Sequence, residues 1–82
     1  MNRYVNVSNE LYEVFEDAAV KHEECDIVYK DDKKQKELHS KVVDIKNVNL
    51  QEFIEMEDGT VIRLDKIVEF NGNQTKALNR YI

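Results

Sequence analysis

The sequence predicts an α+β fold, mainly β: one N-terminal helix followed by a small, bent antiparallel barrel of about five strands. Three observations carry this expectation. Apolar residues recur at helical spacing between Leu11 and Ala19. Short β-rich segments take over from about residue 24. The only two glycines stand in Asp58-Gly59 and Asn71-Gly72, dipeptides that accept the positive φ of tight hairpin turns.

The helix is expected over about 9–21. Leu11, Val14, Phe15, Ala18 and Ala19 follow the i, i+3, i+4, i+7, i+8 rule, which gathers them on one stripe. Ser8 or Asn9 can cap its N-terminus, and Val7 can pack back against Tyr12 as a staple. At about 100° per residue, Glu10, Glu13, Glu16 and Asp17 fall opposite the apolar stripe, with Tyr12 at the border.

Strands are expected over about 24–70. Cys25–Lys30 is apolar and β-rich, and Asp31–Lys34 reads as a polar turn. Leu38–Lys46 reads as a long strand, Leu50–Met56 as the next, then Thr60–Leu64 and Lys66–Phe70 around the two glycine turns. Ile62, Leu64, Val68 and Phe70 keep one parity and Lys66 breaks it, which predicts a bend or bulge near Asp65-Lys66. The tail 73–82 is expected to add a short edge strand or to fray. SH3-like, OB-like and Sm-like barrels all fit this pattern.

Eighty-two residues read as one domain, 1–82. A chain of this size buries only about 60–65% of its unfolded surface, so the core is thin. No run of about 18 apolar residues offers a membrane span. The opening MNRYVNVSNE lacks a signal-peptide core, and the lone Cys25 has no internal disulfide partner, so a reducing, cytoplasmic setting is expected.

Several chemistries lack support. Soft metal ligands number three, His22, Cys25 and His39, whereas a structural zinc site normally takes four. Cys25 reads instead as a small buried strand residue, and His22 as the inner end of the helix. No phosphate loop, nucleophile elbow or His-carboxylate pair is present, so neither catalysis nor a cofactor is expected. The run Lys33-Lys34-Gln35-Lys36 adjoins Asp31 and Asp32 and reads as a solvated turn. Most of the aromatics fall at core-parity positions, which counts against base stacking on a sheet face.

The charge distribution is the functional signal. Net charge is −5. Residues 1–32 hold nine acids and three bases, whereas residues 33–82 hold eight acids and nine bases. A solvated helix face usually mixes both signs, yet no Lys or Arg occurs from Glu10 to Val20. A like-charged arc is mildly unfavourable alone and becomes favourable against a basic partner.

In its ordered set of residues the chain resembles the Rho-binding antiterminators, the Rof family. Tyr4, Val7, Glu10, Tyr12, Glu13, Phe15, Glu16 and Ala18 match the spacing of the family's opening. Arg63, Leu64, Asp65, Lys66 and Ile67, within Glu52–Gly72, match its Leu-Arg-Leu-Asp-Lys-Ile core, and Asp44 and Ile45 match an Asp-Leu step between them. Asn6 and Asn9 replace the family's Pro and Cys. The resemblance covers about residues 4–72. It implies an Sm-like barrel behind a helix, and a monomer that occupies the primary RNA-binding surface of transcription termination factor Rho. By position it assigns contacts to Glu10, Tyr12, Glu13 and Glu16; the helical wheel adds Asp17. Two other readings stay open, an Sm-like RNA-binding module and an acidic adaptor for a different basic protein.

Overall fold

A computed structural model describes residues 4–77. Helix α1 spans Asn9–Lys21. Ser8 takes the N-cap position in extended conformation without a side-chain capping bond, and its carbonyl accepts the Tyr12 amide at 2.9 Å. Val7 and Tyr12 both pack against the core, as a staple requires. The C-terminus closes by paired carbonyl capture. His22 adopts φ 51°, its amide donates to Ala19, and the Glu23 amide donates to Ala18. Two otherwise orphaned carbonyls are thereby satisfied. His22 is exposed rather than at the inner side of the helix, because the left-handed turn swings it out.

The sheet comprises β1 (Glu24–Asp31), β2 (Lys34–Val48), β3 (Gln51–Met56), β4 (Val61–Arg63), β5 (Ile67–Phe70) and β6 (Asn73–Gln74). All pairings are antiparallel, in the order β4-β3-β2-β1-β5-β6. Strand β2 serves both halves: Lys34–Lys41 pairs with β1 and Val42–Val48 with β3. Between them the register shifts at Val42/Asp44, a bulge that bends the strand.

The α+β, mainly β architecture is as expected, with two corrections. There are six strands, the sixth being Asn73–Gln74, which supplies the edge strand expected of the tail; 78–82 lie outside the described residues. The ladder is also not a closed barrel, since β4 and β5 do not pair. A 3-10 turn over Leu64–Lys66 separates them. It falls where Lys66 breaks the apolar parity, and it turns Leu64 into the core and Asp65 toward Arg63.

The core gathers Leu11, Phe15 and Ala18 of α1 with Cys25, Ile27, Val42, Ile54, Met56, Ile62, Leu64, Ile67 and Phe70. Val14 and Ala19, the remaining members of the predicted stripe, pack against it half-buried. Phe15 and Phe70 meet edge to face, with centroids 4.9 Å apart and planes at 88°, an arrangement that favours the ring quadrupoles. This pair fixes α1 against β5, while the C-terminal half of the helix lies across β2.

Candidate functional site

Burial of Leu11, Phe15 and Ala18 dictates what α1 presents outward. Glu10, Glu13, Glu16 and Asp17 are all exposed, and with Val14 and Val20 they line one shallow surface. The structure thus brings together the four acids read from the wheel. Tyr12 lies on the other side of Glu16, half-buried toward β2. Burial first, then the charges of Glu52 and Glu16, push its phenol above the ordinary tyrosine value, so the ring stays neutral and protonated at physiological pH.

The acids are not equivalent. Asp17 is bridged by Lys21 at 2.9 Å, one turn on, with both side chains about 60% exposed. The absence of bases between Glu10 and Val20 therefore ends at the next residue, and part of the arc's repulsion is relieved internally. Such exposed pairs are weak and open readily. Glu13 and Glu16 carry no ion pair among the described residues. They are the acids most available to a partner. Sequence reasoning missed Val20, which stands 77% exposed beside them. Its signal was its position: an apolar residue just outside the buried stripe.

Some of the basic groups are engaged away from this face. Lys36 holds Asp31 at 2.7 Å, which offsets the hairpin-tip charge as expected and draws the Asp31 carboxyl below its usual range. Arg63 is bound bidentately to Asp65 at 2.5 and 2.9 Å, and its guanidinium lies 5.5 Å from the Tyr4 ring centre. Asp65 also accepts the Val5 amide at 2.9 Å, and the Tyr4 hydroxyl donates to Glu52 at 2.9 Å. The segment before α1 is thereby tied down over β3 and β4. Burial and then the Glu52 bond raise the Tyr4 phenol far above its ordinary value.

Phe53 is an exception to core parity among the aromatics. It sits across from Lys46 and Arg63 on the face opposite Ile54 and Met56. That row has the composition of a base-stacking platform. However, Lys46 is held by Glu55 at 3.0 Å and Arg63 by Asp65, so little positive charge is left for phosphates. A separate concavity of about 310 Å³ is lined by Lys30, Lys66 and Lys76, none of which has an ion pair among the described residues.

Cys25 is fully buried, with its thiol near Asn71 and the Glu23 carbonyl, and burial raises its pKa. His39 stands on the outer face against Asp26 at 2.5 Å, and His22 projects from the helix end. Among the described residues no three metal-ligating side chains gather, and no helix is long and apolar enough to cross a membrane.

No protein-family model, curated protein or solved structure matches the chain.

Proposed function

We propose that this protein is an inhibitor of transcription termination factor Rho, and that α1 occupies the factor's primary RNA-binding surface and blocks RNA loading. One observation carries the reading: Glu13 and Glu16 project without an ion pair among the described residues from a helix packed on the core, with Glu10 and Asp17 on the same surface. Carboxylates spaced along one turn present an anionic row to Arg and Lys side chains, as an RNA backbone would. Tyr12 supplies a half-buried aromatic edge with low conformational entropy to lose, a common interface anchor. The identity of the partner comes from the Rof-family resemblance, which also implies a monomer, and the lone Cys25 fits a reducing, cytoplasmic setting.

A calorimetric titration with purified Rho tests this. Glu13→Lys with Glu16→Lys is expected to weaken binding by about 100-fold or more, since opposed charges become like charges. The circular dichroism spectrum should stay unchanged, because both positions are exposed. Undiminished affinity in the folded variant overturns the proposal. Binding of the unaltered protein should also weaken as salt rises, because exposed charges are screened beyond about 8–10 Å.

The lysine-lined concavity favours a second reading, an Sm-like module that takes phosphates of single-stranded RNA at Lys30, Lys66 and Lys76. That reading predicts a gel shift with RNA that survives charge reversal on α1 and disappears on Lys66→Glu. An acidic adaptor for another basic protein predicts that a pull-down on this chain recovers that protein and no Rho.

A further inference from the structure

The bulge in β2 creates a feature that the acidic arc alone does not contain. Where α1 crosses β2, a groove of about 310 Å³ opens between them, lined by Tyr12, Glu16, Ala19 and Val20 of the helix and Val43, Asp44 and Ile45 of the strand. Val42 pairs with Met56 and Asp44 with Glu55, so Val43 is the extra residue. A bulge of this kind re-aims side chains that regular pleating would send elsewhere. Both Val43 and Asp44 consequently line the groove, although alternation along a flat strand would separate them.

The groove has an apolar floor and one acid on each wall. Glu16 comes from α1 and Asp44 from β2. Nothing basic among the described residues answers either one. Lys21 is held by Asp17, and Lys46, two residues beyond Asp44, is held by Glu55 at 3.0 Å. Asp44 is also oriented in advance: its Oδ1 accepts the Ile45 amide at 2.8 Å, and its second oxygen accepts no hydrogen bond among the described residues.

We infer that this groove seats an arginine side chain of the protein partner, with its stem along Val43, Ile45 and Ala19 and its guanidinium between Glu16 and Asp44. The charge complementarity selects a cation, and the apolar floor selects one with a long hydrocarbon stem. Arginine fits better than lysine because its planar, weakly hydrated fork can donate to two carboxylates at once and can lie against the Tyr12 ring. The inference rests on the reading of α1 as a partner-binding helix. It adds a contact on the strand side, Asp44, that neither the helical wheel nor the family pattern assigns.

Two arms of one experiment test it. In the first, N-acetyl-arginine N-methylamide is titrated into ¹⁵N-labelled protein, with the citrulline analogue as an uncharged isostere. Saturable shifts are expected at the amides of Ala19, Val20, Val43, Asp44 and Ile45. They should be absent with citrulline and lost in Glu16→Gln with Asp44→Asn. The asparagine still accepts the Ile45 amide, so only the charge is removed. Shifts that spread over all acidic residues, or that citrulline reproduces, overturn the inference. So do shifts of the same amides with protein concentration alone, which would mark a second copy as the occupant. In the second arm, Asp44→Asn is titrated with Rho, where about tenfold weaker binding is expected. Full affinity in that variant overturns the groove while leaving the acidic helix face in place. Failure of the unaltered protein to bind Rho removes the partner assignment, and the first arm still decides the groove.

Discussion

Glu13 and Asp17 stand one helical turn apart on the same face, yet only one of them is answered within the molecule. Lys21 takes Asp17, whereas Glu13 and Glu16 have no ion pair among the described residues. The same distinction governs His39. Across the β1–β2 pair its Nδ1 lies 2.5 Å from Asp26, and its Nε2 lies 3.7 Å from Glu24. The hydrogen bond to Asp26, then its charge, raise the imidazole pKa above the ordinary value. The folded state therefore favours the protonated ring. The stabilisation is fully present below the unfolded pKa of about 6.5 and is lost as pH rises through the higher folded value. Proton NMR of His39 should give a midpoint above the ordinary histidine value, and Asp26→Asn should bring it down. A midpoint unchanged by Asp26→Asn would exclude the pair in solution. With both groups solvated, global stability should change little across this window.

At the scale of elements, the β2–β3 hairpin carries the clearest local conflict. Its two turn residues, Asn49 and Leu50, have φ of 52° and 64°, the signs required by a two-residue type I′ turn. Asn accepts this conformation, but leucine does so at a cost of roughly 1 kcal/mol. Leu50 is also 87% exposed, so no burial offsets the strain. The Asn71-Gly72 turn uses the same signs, 52° and 83°, with the suitable residue in second place. Leu50→Gly should therefore raise the urea midpoint, by about 0.5–1 kcal/mol in stability after allowance for the freer unfolded chain. An unchanged or lower midpoint would show that Leu50 is held by something other than the turn. This hairpin also marks where sequence reading stops. Leu50 reads as the first residue of a strand because an apolar side chain is expected to start a buried run, yet backbone geometry places it in the turn. Likewise β2 begins at Lys34 rather than near Leu38. Lys34–Glu37 are polar because that half of the β1–β2 ribbon is solvated, and strand pairing, not burial, keeps them extended. By contrast α1 was legible almost to the residue, since its stripe is buried on one side only. The acids of the site followed from the same stripe. Asp44 did not, because a bulge depends on the pairing partner, β3, and leaves no periodic signal in β2 itself.

For the molecule as a whole, the acidic face of α1 and the sheet depend on one seam. The helix packs onto the sheet through Leu11, Phe15 and Ala18. Phe15 is the largest of these, fully buried, and it meets Phe70 at the far end of β5. Sheet order makes the seam more consequential. Without a ladder between β4 and β5, these two strands are joined through the shared core that includes Ile62, Leu64, Ile67 and Phe70. Phe15 of the helix belongs to the same core and meets Phe70 directly. Phe15→Ala should then cost about 3–5 kcal/mol. A domain of this size has a total stability on the order of 4–12 kcal/mol, so most of it is at risk. The loss should be global: far-ultraviolet dichroism and the amide NMR signals of α1 should report one transition, shifted to lower urea. Phe15→Leu, which keeps most of the volume, should fold at a reduced midpoint and retain partner binding, because it leaves Glu13 and Glu16 on the same rigid face. If instead Phe15→Ala melts the helix alone and the sheet signal persists unchanged, the sheet stands without its cover. The acidic helix would then be an attached element rather than part of the core.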